Sequence, residues 1–311
     1  MNVHRDLNAL PKFNNAVVTL GTFDGVHAGH QSLVESITSE AKRLGGESVL
    51  LTFDKHPRSV IKPGEAEPKL LTTLDEKTTL LEKLGVDHLV IIPFTKAFSN
   101  LSAREYVSDF LVAKFHPSVI VIGYNHRFGH HRDGNIELLQ KLSVDFKFEV
   151  KEINKQLVND IAVSSSRIRI ALEEGDVETA NGLLGYEYML NGLVERGDQR
   201  GRTIGFPTAN IKPNDAHKLV PARGVYAVKT NVDGKSYDAM LNIGVRPTVD
   251  GMRETIEAHI LNFNADIYHQ PVEIRFHKRL RDERKFESLD ALKAQLENDK
   301  AATTAYFNRG A

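Results

Sequence analysis

Cysteine is absent from this chain of 311 residues. No disulfide framework, thiolate zinc site or cysteine nucleophile can therefore operate in it. No apolar run approaches the roughly 18 residues that a membrane-spanning helix needs. The first residues, MNVHRDLNALPKF, lack the apolar core of a signal peptide. A cytoplasmic protein without a membrane partner is expected. Neither sign of charge dominates: 40 Lys and Arg face 41 Asp and Glu, for a net charge of −1. That balance speaks against a broad nucleic-acid footprint, so no nucleic-acid partner is expected. Long linkers, internal repeats and low-complexity segments are also missing. What remains is ordinary for a globular chain, with 41% hydrophobic and 26% charged residues. The length suits two domains, each with its own core. The sequence carries no signal for oligomeric state.

The two halves follow different patterns. In the first, apolar strand candidates alternate with helix-like stretches. The strands are AVVTL (16–20), SVLLTF (48–53), HLVIIPF (88–94) and SVIVIG (118–123). Leu33, Ile37, Ala41 and Leu44 mark one helix face, which Gly45-Gly46 closes. Further helices are expected at 75–84, 103–113, 165–174 and 176–184. The pattern predicts an α/β domain with a parallel sheet covered on both faces. After residue 184 come short strand candidates at 188–195, 224–232, 236–244, 255–263 and 271–280. Asp233-Gly234 supplies a hairpin turn between two of them. A small antiparallel β-barrel is expected, followed by an amphipathic helix at 288–307 with Ser288 as N-cap.

In open parallel sheets ligands bind beyond the carboxyl ends of the strands. Two loops follow strands in that way. GTFDGVHAGH (21–30) brings His27 and His30 to the start of a helix, where free N–H groups and the helix dipole favour an anion. Gly29 leaves the backbone bare for a flat ring. On spacing alone, a chance surface pair or half a zinc site fits as well. GYNHRFGHHRDG (123–134) offers Asn125 and Arg127. VSSSRIR (163–169) places Ser164, Ser165, Ser166 and Arg169 before and within a helix; they can bind phosphate oxygens or simply cap. In the second half, GDQRGRTIGFPTAN (197–210) interleaves Gly201, Arg202 and Gly205 in a loop able to fold over phosphates, or to make a plain hairpin. If FPTAN is extended, Thr208 and Asn210 share a face and offer hard oxygens suited to Mg²⁺ carried with ATP. Glu257, in ETIEAHIL, is a candidate base or a solvated strand residue.

GTFDGVHAGH closely resembles the motif of adenylyl- and cytidylyltransferases with a Rossmann-like fold. GRTIGFPTANI, GVYAV, NIGVRPT and ETIEAHILNFNADIY resemble the riboflavin kinase family. Over roughly residues 14–300 the chain is similar to the prokaryotic bifunctional riboflavin kinase/FAD synthetase family. The resemblance implies an FMN adenylyltransferase domain at 1–184 and a riboflavin kinase domain at 185–311. Riboflavin plus ATP would give FMN, and FMN plus ATP would give FAD and pyrophosphate, with Mg²⁺ as metal. It implies that His27, His30 and Arg169 serve the transferred α-phosphate, and that Gly21, Phe23 and Asp24 belong to the nucleotide site. Thr208 and Asn210 fall on the family's metal ligands and Glu257 on its catalytic glutamate. Two positions depart from the family pattern. Lys55 stands where TFDPHP has its first proline, and His269 follows DIY in place of glycine. The second is expected to alter the turn after that strand.

Overall fold

Four strands of the first half are buried along almost their whole length: β2 (Val17–Leu20), β3 (Ser48–Phe53), β4 (His88–Ile92) and β5 (Val119–Gly123). Continuous burial arises when both faces of a parallel sheet are covered. Alternate residues divide between two cores. Val18, Leu20, Val49, Leu51, Val90 and Ile92 enter one, while Val17, Leu50, Leu89 and Ile91 enter the other. Two more polar strands, β1 (Asn2–His4) and β6 (Glu149–Ile153), form the edges. The order is β1-β4-β3-β2-β5-β6, with every pair parallel. The chain works outward from β2 to β4 and then crosses back to β5 beside β2. The sheet's switch point therefore lies between the carboxyl ends of β2 and β5.

The computed structural model describes residues 1–65, 67–124, 126–153, 163–197, 200–248 and 251–308. They form two units, Met1–Ser164 and Ser165–Ala311. In the first, the helix Ala28–Leu44 ends at Gly45, which takes the left-handed conformation at φ 58°. Thr73 and Glu76 build a capping box at the start of Leu74–Lys83. The expected helix at 103–113 runs to Phe115, but Tyr106–Val112 is wound as a π-helix. The helix Ile136–Phe146 and the edge strands β1 and β6 were not marked by the apolar pattern.

The second unit is a closed antiparallel barrel. It contains β7 (Met189–Glu195), β8 (Ala209–Pro213), β9 (Gly224–Val232), β10 (Lys235–Thr248), β11 (Gly251–Ile260) and β12 (Pro271–Arg281). Their order around the barrel is β10-β11-β8-β7-β12-β9. Asp233 and Gly234 both have positive φ, as a type I′ hairpin turn needs. The last helix, Leu289–Asn308, starts with the Ala291 N–H donating to Ser288 Oγ. Buried Asp299 ties this helix to the barrel through Arg281, at 2.7 Å.

The helices Ser165–Glu174 and Val177–Leu184 belong to the barrel's unit. The change of pattern in the sequence falls after them, at 184. The reason is in the packing. Asn181 donates to the Phe276 carbonyl and accepts from the Tyr188 N–H. The Ala222 N–H donates to the Leu172 carbonyl. Helical periodicity gives no sign of which partner a helix will choose.

Candidate functional site

The loop after β2 is held in an unusual shape. Phe23, Gly25 and Val26 all have positive φ, at 46°, 85° and 36°. Such conformations cost of order 1–3 kcal/mol each for non-glycine residues and persist only where the surroundings enforce them. Here the enforcement is visible. Buried Asp24 accepts the N–H groups of Leu71 and Thr72 through Oδ1, at 2.9 and 3.1 Å. The Gly25 N–H donates to Thr72 Oγ1. Lys77, from the helix Leu74–Lys83, donates to the Thr22 carbonyl at 2.7 Å and to Thr52 Oγ1 at 3.2 Å. Gly21 matters because an added Cβ would stand 3.2 Å from the Phe23 ring.

The loop delivers His27 as the N-cap of Ala28–Leu44, with Gly29 in the first turn. His27 Nδ1 accepts from the His30 N–H at 3.4 Å, so the ring hydrogen of neutral His27 sits on Nε2. The two imidazoles stack with centroids 3.7 Å apart and planes 13° from parallel. Phe23 is fully buried and lies 5.0 Å from His30, so it supports the histidine and presents no surface to a nucleotide. Asp24 likewise faces inward, though it lines a small cleft with Thr22, Asp54, Lys55, His56 and Lys77. Burial pushes His27 down to about 4. His30 is held well below its usual range by burial, then by His27 and Lys77. Burial also lowers Lys77 to about 8. Both histidines are therefore neutral at pH 7 and would serve a phosphate as N–H donors, not as resident cations. His30 Nδ1 is buried without a hydrogen-bond partner.

Arg127 stands exposed on the loop after β5, the strand beside β2, so it shares the carboxyl edge with the histidines. Asn125 lies outside the described residues. Ser165, Ser166 and Arg169 occupy the first turns of the helix Ser165–Glu174, with Ser164 just before it. That helix is part of the second unit. Lys55 is exposed at the rim of the cleft, where its ammonium adds positive charge.

The barrel carries the second site. FPTAN is extended from Ala209 onward, in β8, and its register is informative: Asn210 pairs directly with Glu257 of β11. Side chains directly opposite in an antiparallel pair project on the same face, about 4.5–5.5 Å apart at Cβ. Glu257 is half-buried, and its Oε1 lies 2.7 Å from Arg246 Nη2. Gly197 lies against Asn210, and a Cβ added there would have to displace the Asn210 amide. Gly201 lies in the short turn Arg200–Thr203, and its carbonyl accepts the Phe206 N–H. A Cβ there would collide with the Phe206 carbonyl oxygen and stand 3.5 Å from Thr208 Oγ1. Gly205 takes a φ of 87°, and Arg202 is exposed beside it. Thr208, Asn210, Glu257 and the glycine loop are thus brought together. Arg246 and His259, which contact this site, had not been singled out in the sequence. No group of three or more His, Asp or Glu placed to hold a metal occurs among the described residues.

Turn geometry at the second departure is also clear. His269 is exposed with φ 64°, and its N–H donates to the Val194 carbonyl. The histidine therefore adopts the left-handed conformation that glycine would take without cost.

Known proteins match both units. The FAD synthetase family model covers residues 10–167, and the riboflavin kinase model covers 184–307. A Listeria monocytogenes protein named bifunctional riboflavin kinase/FMN adenylyltransferase is 42% identical over 94% of this chain and 93% of its own. The Bacillus subtilis protein of the same name is 36% identical over 94% and 93%. A solved Streptococcus pneumoniae structure, described as a macrolide-efflux protein, superposes with a TM-score of 0.89 at 31% identity. It covers 98% of this chain and 99% of its own. Among the described residues no helix is long and apolar enough to cross a membrane.

Proposed function

The chain belongs to the bifunctional riboflavin kinase/FMN adenylyltransferase family, and from that premise we propose how its residues divide the work. It converts riboflavin and ATP to FMN and ADP in the barrel, and FMN and ATP to FAD and pyrophosphate in the α/β unit. The observation that carries this reading is that each family match falls on a unit with its own phosphate-handling geometry. One is a pair of stacked neutral imidazoles at a helix N-terminus; the other is a carboxylate facing an amide across two strands.

In the barrel, Glu257 accepts the proton of the ribityl 5′-hydroxyl as its oxygen bonds to the γ-phosphorus of ATP. The bond to the bridging oxygen breaks, and ADP leaves. Thr208 and Asn210 would hold Mg²⁺, which would neutralise charge on the phosphates, and the glycine turn at Gly201 and Gly205, with Arg202, covers them. In the α/β unit, a phosphate oxygen of FMN bonds to the α-phosphorus of ATP and pyrophosphate leaves. His27 and His30 donate N–H groups to the oxygens where negative charge builds up, while the helix N-terminus supplies fixed positive potential. Asn125, Arg127, Ser164, Ser165, Ser166 and Arg169 are each proposed to bind nucleotide phosphates. The proposed location is the cytoplasm, where ATP is supplied. The enzymatic boundary is proposed at 184/185, even though the two preceding helices pack with the barrel.

The test is direct. Incubate the protein with riboflavin, ATP and Mg²⁺ and separate the flavins. FMN followed by FAD is expected; formation of neither product would refute the reading.

A further inference from the structure

Asn210 faces Glu257, yet the strand pairing that sets this alignment is short. The β8–β11 ladder contains Glu257↔Asn210 and Ala258↔Ala209, whereas β10–β11 runs from Ala239↔Ile260 to Thr248↔Gly251. The next residues on the β8 side are Thr208 and Pro207. Proline has no N–H and cannot donate to a ladder. A one-residue slip would turn Asn210 to the opposite face and carry its oxygen away from the base. On its other side β8 is held by four pairs to β7, from Gly192↔Pro213 to Glu195↔Asn210, so it is the placement of Pro207 and Thr208, which neither ladder reaches, that needs a further contact.

The structure supplies it in one side chain. His259 lies two residues beyond Glu257 on the same strand, so both project on one face. Continuing the ladder by one pair sets it opposite Thr208. Its Nδ1 is 2.8 Å from the Pro207 carbonyl oxygen. A carbonyl oxygen only accepts, so Nδ1 must carry the hydrogen. The imidazole thus makes the inter-strand hydrogen bond where the backbone ladder stops. The Phe206 ring meets the same imidazole edge-on, with centroids 5.2 Å apart. His259 is buried, and burial keeps it in its neutral form. FPT is therefore gripped at both Phe206 and Pro207, immediately before the first proposed metal ligand.

We propose that His259 is a positioning residue of the kinase: its Nδ1–H bond to Pro207 places Thr208 on the face shared by Asn210 and Glu257. This rests on the kinase reading above. The residue touches no substrate and takes no part in proton transfer. Its effect comes through placement, and misplacing reacting groups by about 1 Å can cost 10²-fold.

The experiment uses the full chain in three forms: wild type, His259→Leu and His259→Asn. Leucine fills the space without a donor, while asparagine retains an N–H donor near the position of Nδ1. The first readout needs neither metal nor nucleotide. Long-range ¹H–¹⁵N spectra of the imidazoles, assigned by the signal lost in the variants, should show His259 protonated at Nδ1. An Nε2–H ring in the folded wild type would overturn the proposal. The second readout separates placement from general loosening. In His259→Leu, kcat/KM for Mg·ATP should fall roughly 10–10²-fold, with the KM for riboflavin little changed, and His259→Asn should recover most of the loss. FAD formation from supplied FMN should match wild type in both. Wild-type dependence on Mg·ATP in His259→Leu would overturn the proposal, as would equal rises in both KM values. If the leucine variant fails to fold, the asparagine variant decides: near-wild-type Mg·ATP kinetics support the proposal, and a leucine-scale loss overturns it. A wild-type protein that phosphorylates no riboflavin would count against the kinase reading instead, leaving the tautomer result standing by itself.

Discussion

Arg246 sets a guanidinium nitrogen 2.7 Å from the carboxylate of Glu257. The proposed base is therefore already oriented, and its charge is balanced by a group on the neighbouring strand. Glu257→Gln keeps the shape, and its amide oxygen can still accept from Arg246, but it removes the proton acceptor. General-base loss is worth roughly 10²–10⁴-fold in rate. FMN formation should fall by that factor while FMN supplied directly still becomes FAD. Both activities are read from one flavin separation. Riboflavin phosphorylation at near wild-type rate would reduce Glu257 to a solvated strand residue.

The neutral state of the stacked histidines gives a second expectation. His30→Ala should lower FAD formation about 10²–10³-fold, the usual cost of losing a preorganised donor, and should spare FMN formation. Protonation adds a pH signature. Folded His27 binds its proton only near pH 4, whereas the unfolded chain does so near 6.5. Between those values the unfolded state holds the extra proton, so stability falls as pH falls through this window. In His27→Gln the denaturation midpoint should be less pH-dependent between pH 7 and 5. If the variant's midpoint tracks wild type across that range, His27 is not the buried neutral group described here.

Much of this arrangement was legible in the sequence, and the limits have physical causes. The central strands β2 to β5 were readable because both of their faces are buried and only isolated polar residues, such as Thr19 and Thr52, interrupt their apolar runs. The edge strands Asn2–His4 and Glu149–Ile153 were not, because an edge carries few apolar residues. The strand holding Asn210 was foreseen only conditionally, since FPTAN pairs a proline with polar residues. Candidate site residues, such as His27 and Asn210, announce themselves by type and spacing. Their supports do not. Asp24 meets Leu71 and Thr72, and Lys77 meets Thr22, across some fifty residues of sequence that only the fold brings together.

His269 offers a test of backbone conformation. Its φ of 64° costs an ordinary residue about 1–2 kcal/mol. The side chain is exposed, and the N–H bond to the Val194 carbonyl does not depend on it. His269→Gly removes the steric cost but adds freedom to the unfolded chain, worth roughly 0.5–1 kcal/mol. A net gain of about 0.5–1 kcal/mol is expected, seen as a higher denaturant midpoint for the barrel. A lower midpoint would mean that the imidazole itself stabilises the turn.

Finally, the helices between the two sequence patterns decide where the barrel can be cut free. Ile168, Leu172, Val177, Ala180, Leu183 and Leu184 are all buried. Arg279 of β12 donates to the Glu174 carbonyl, and Asn181 bridges Phe276 and Tyr188. A fragment starting at residue 185 would strip this layer from the barrel and expose its partners. A fragment of residues 165–311 keeps it, together with every kinase group from Gly197 to Glu257. The longer fragment should therefore melt cooperatively and convert riboflavin to FMN, but make no FAD because it lacks His27 and His30. The shorter one should melt at a lower temperature, since losing several buried apolar side chains costs about 1.5–3 kcal/mol each. Thermal melts and an FMN assay on both fragments check this. Equal melting temperatures would show that the two helices add nothing to the barrel. A folded 165–311 fragment without kinase activity would show that Met1–Ser164 completes the kinase site, and the assignment of one reaction to each unit would have to be given up.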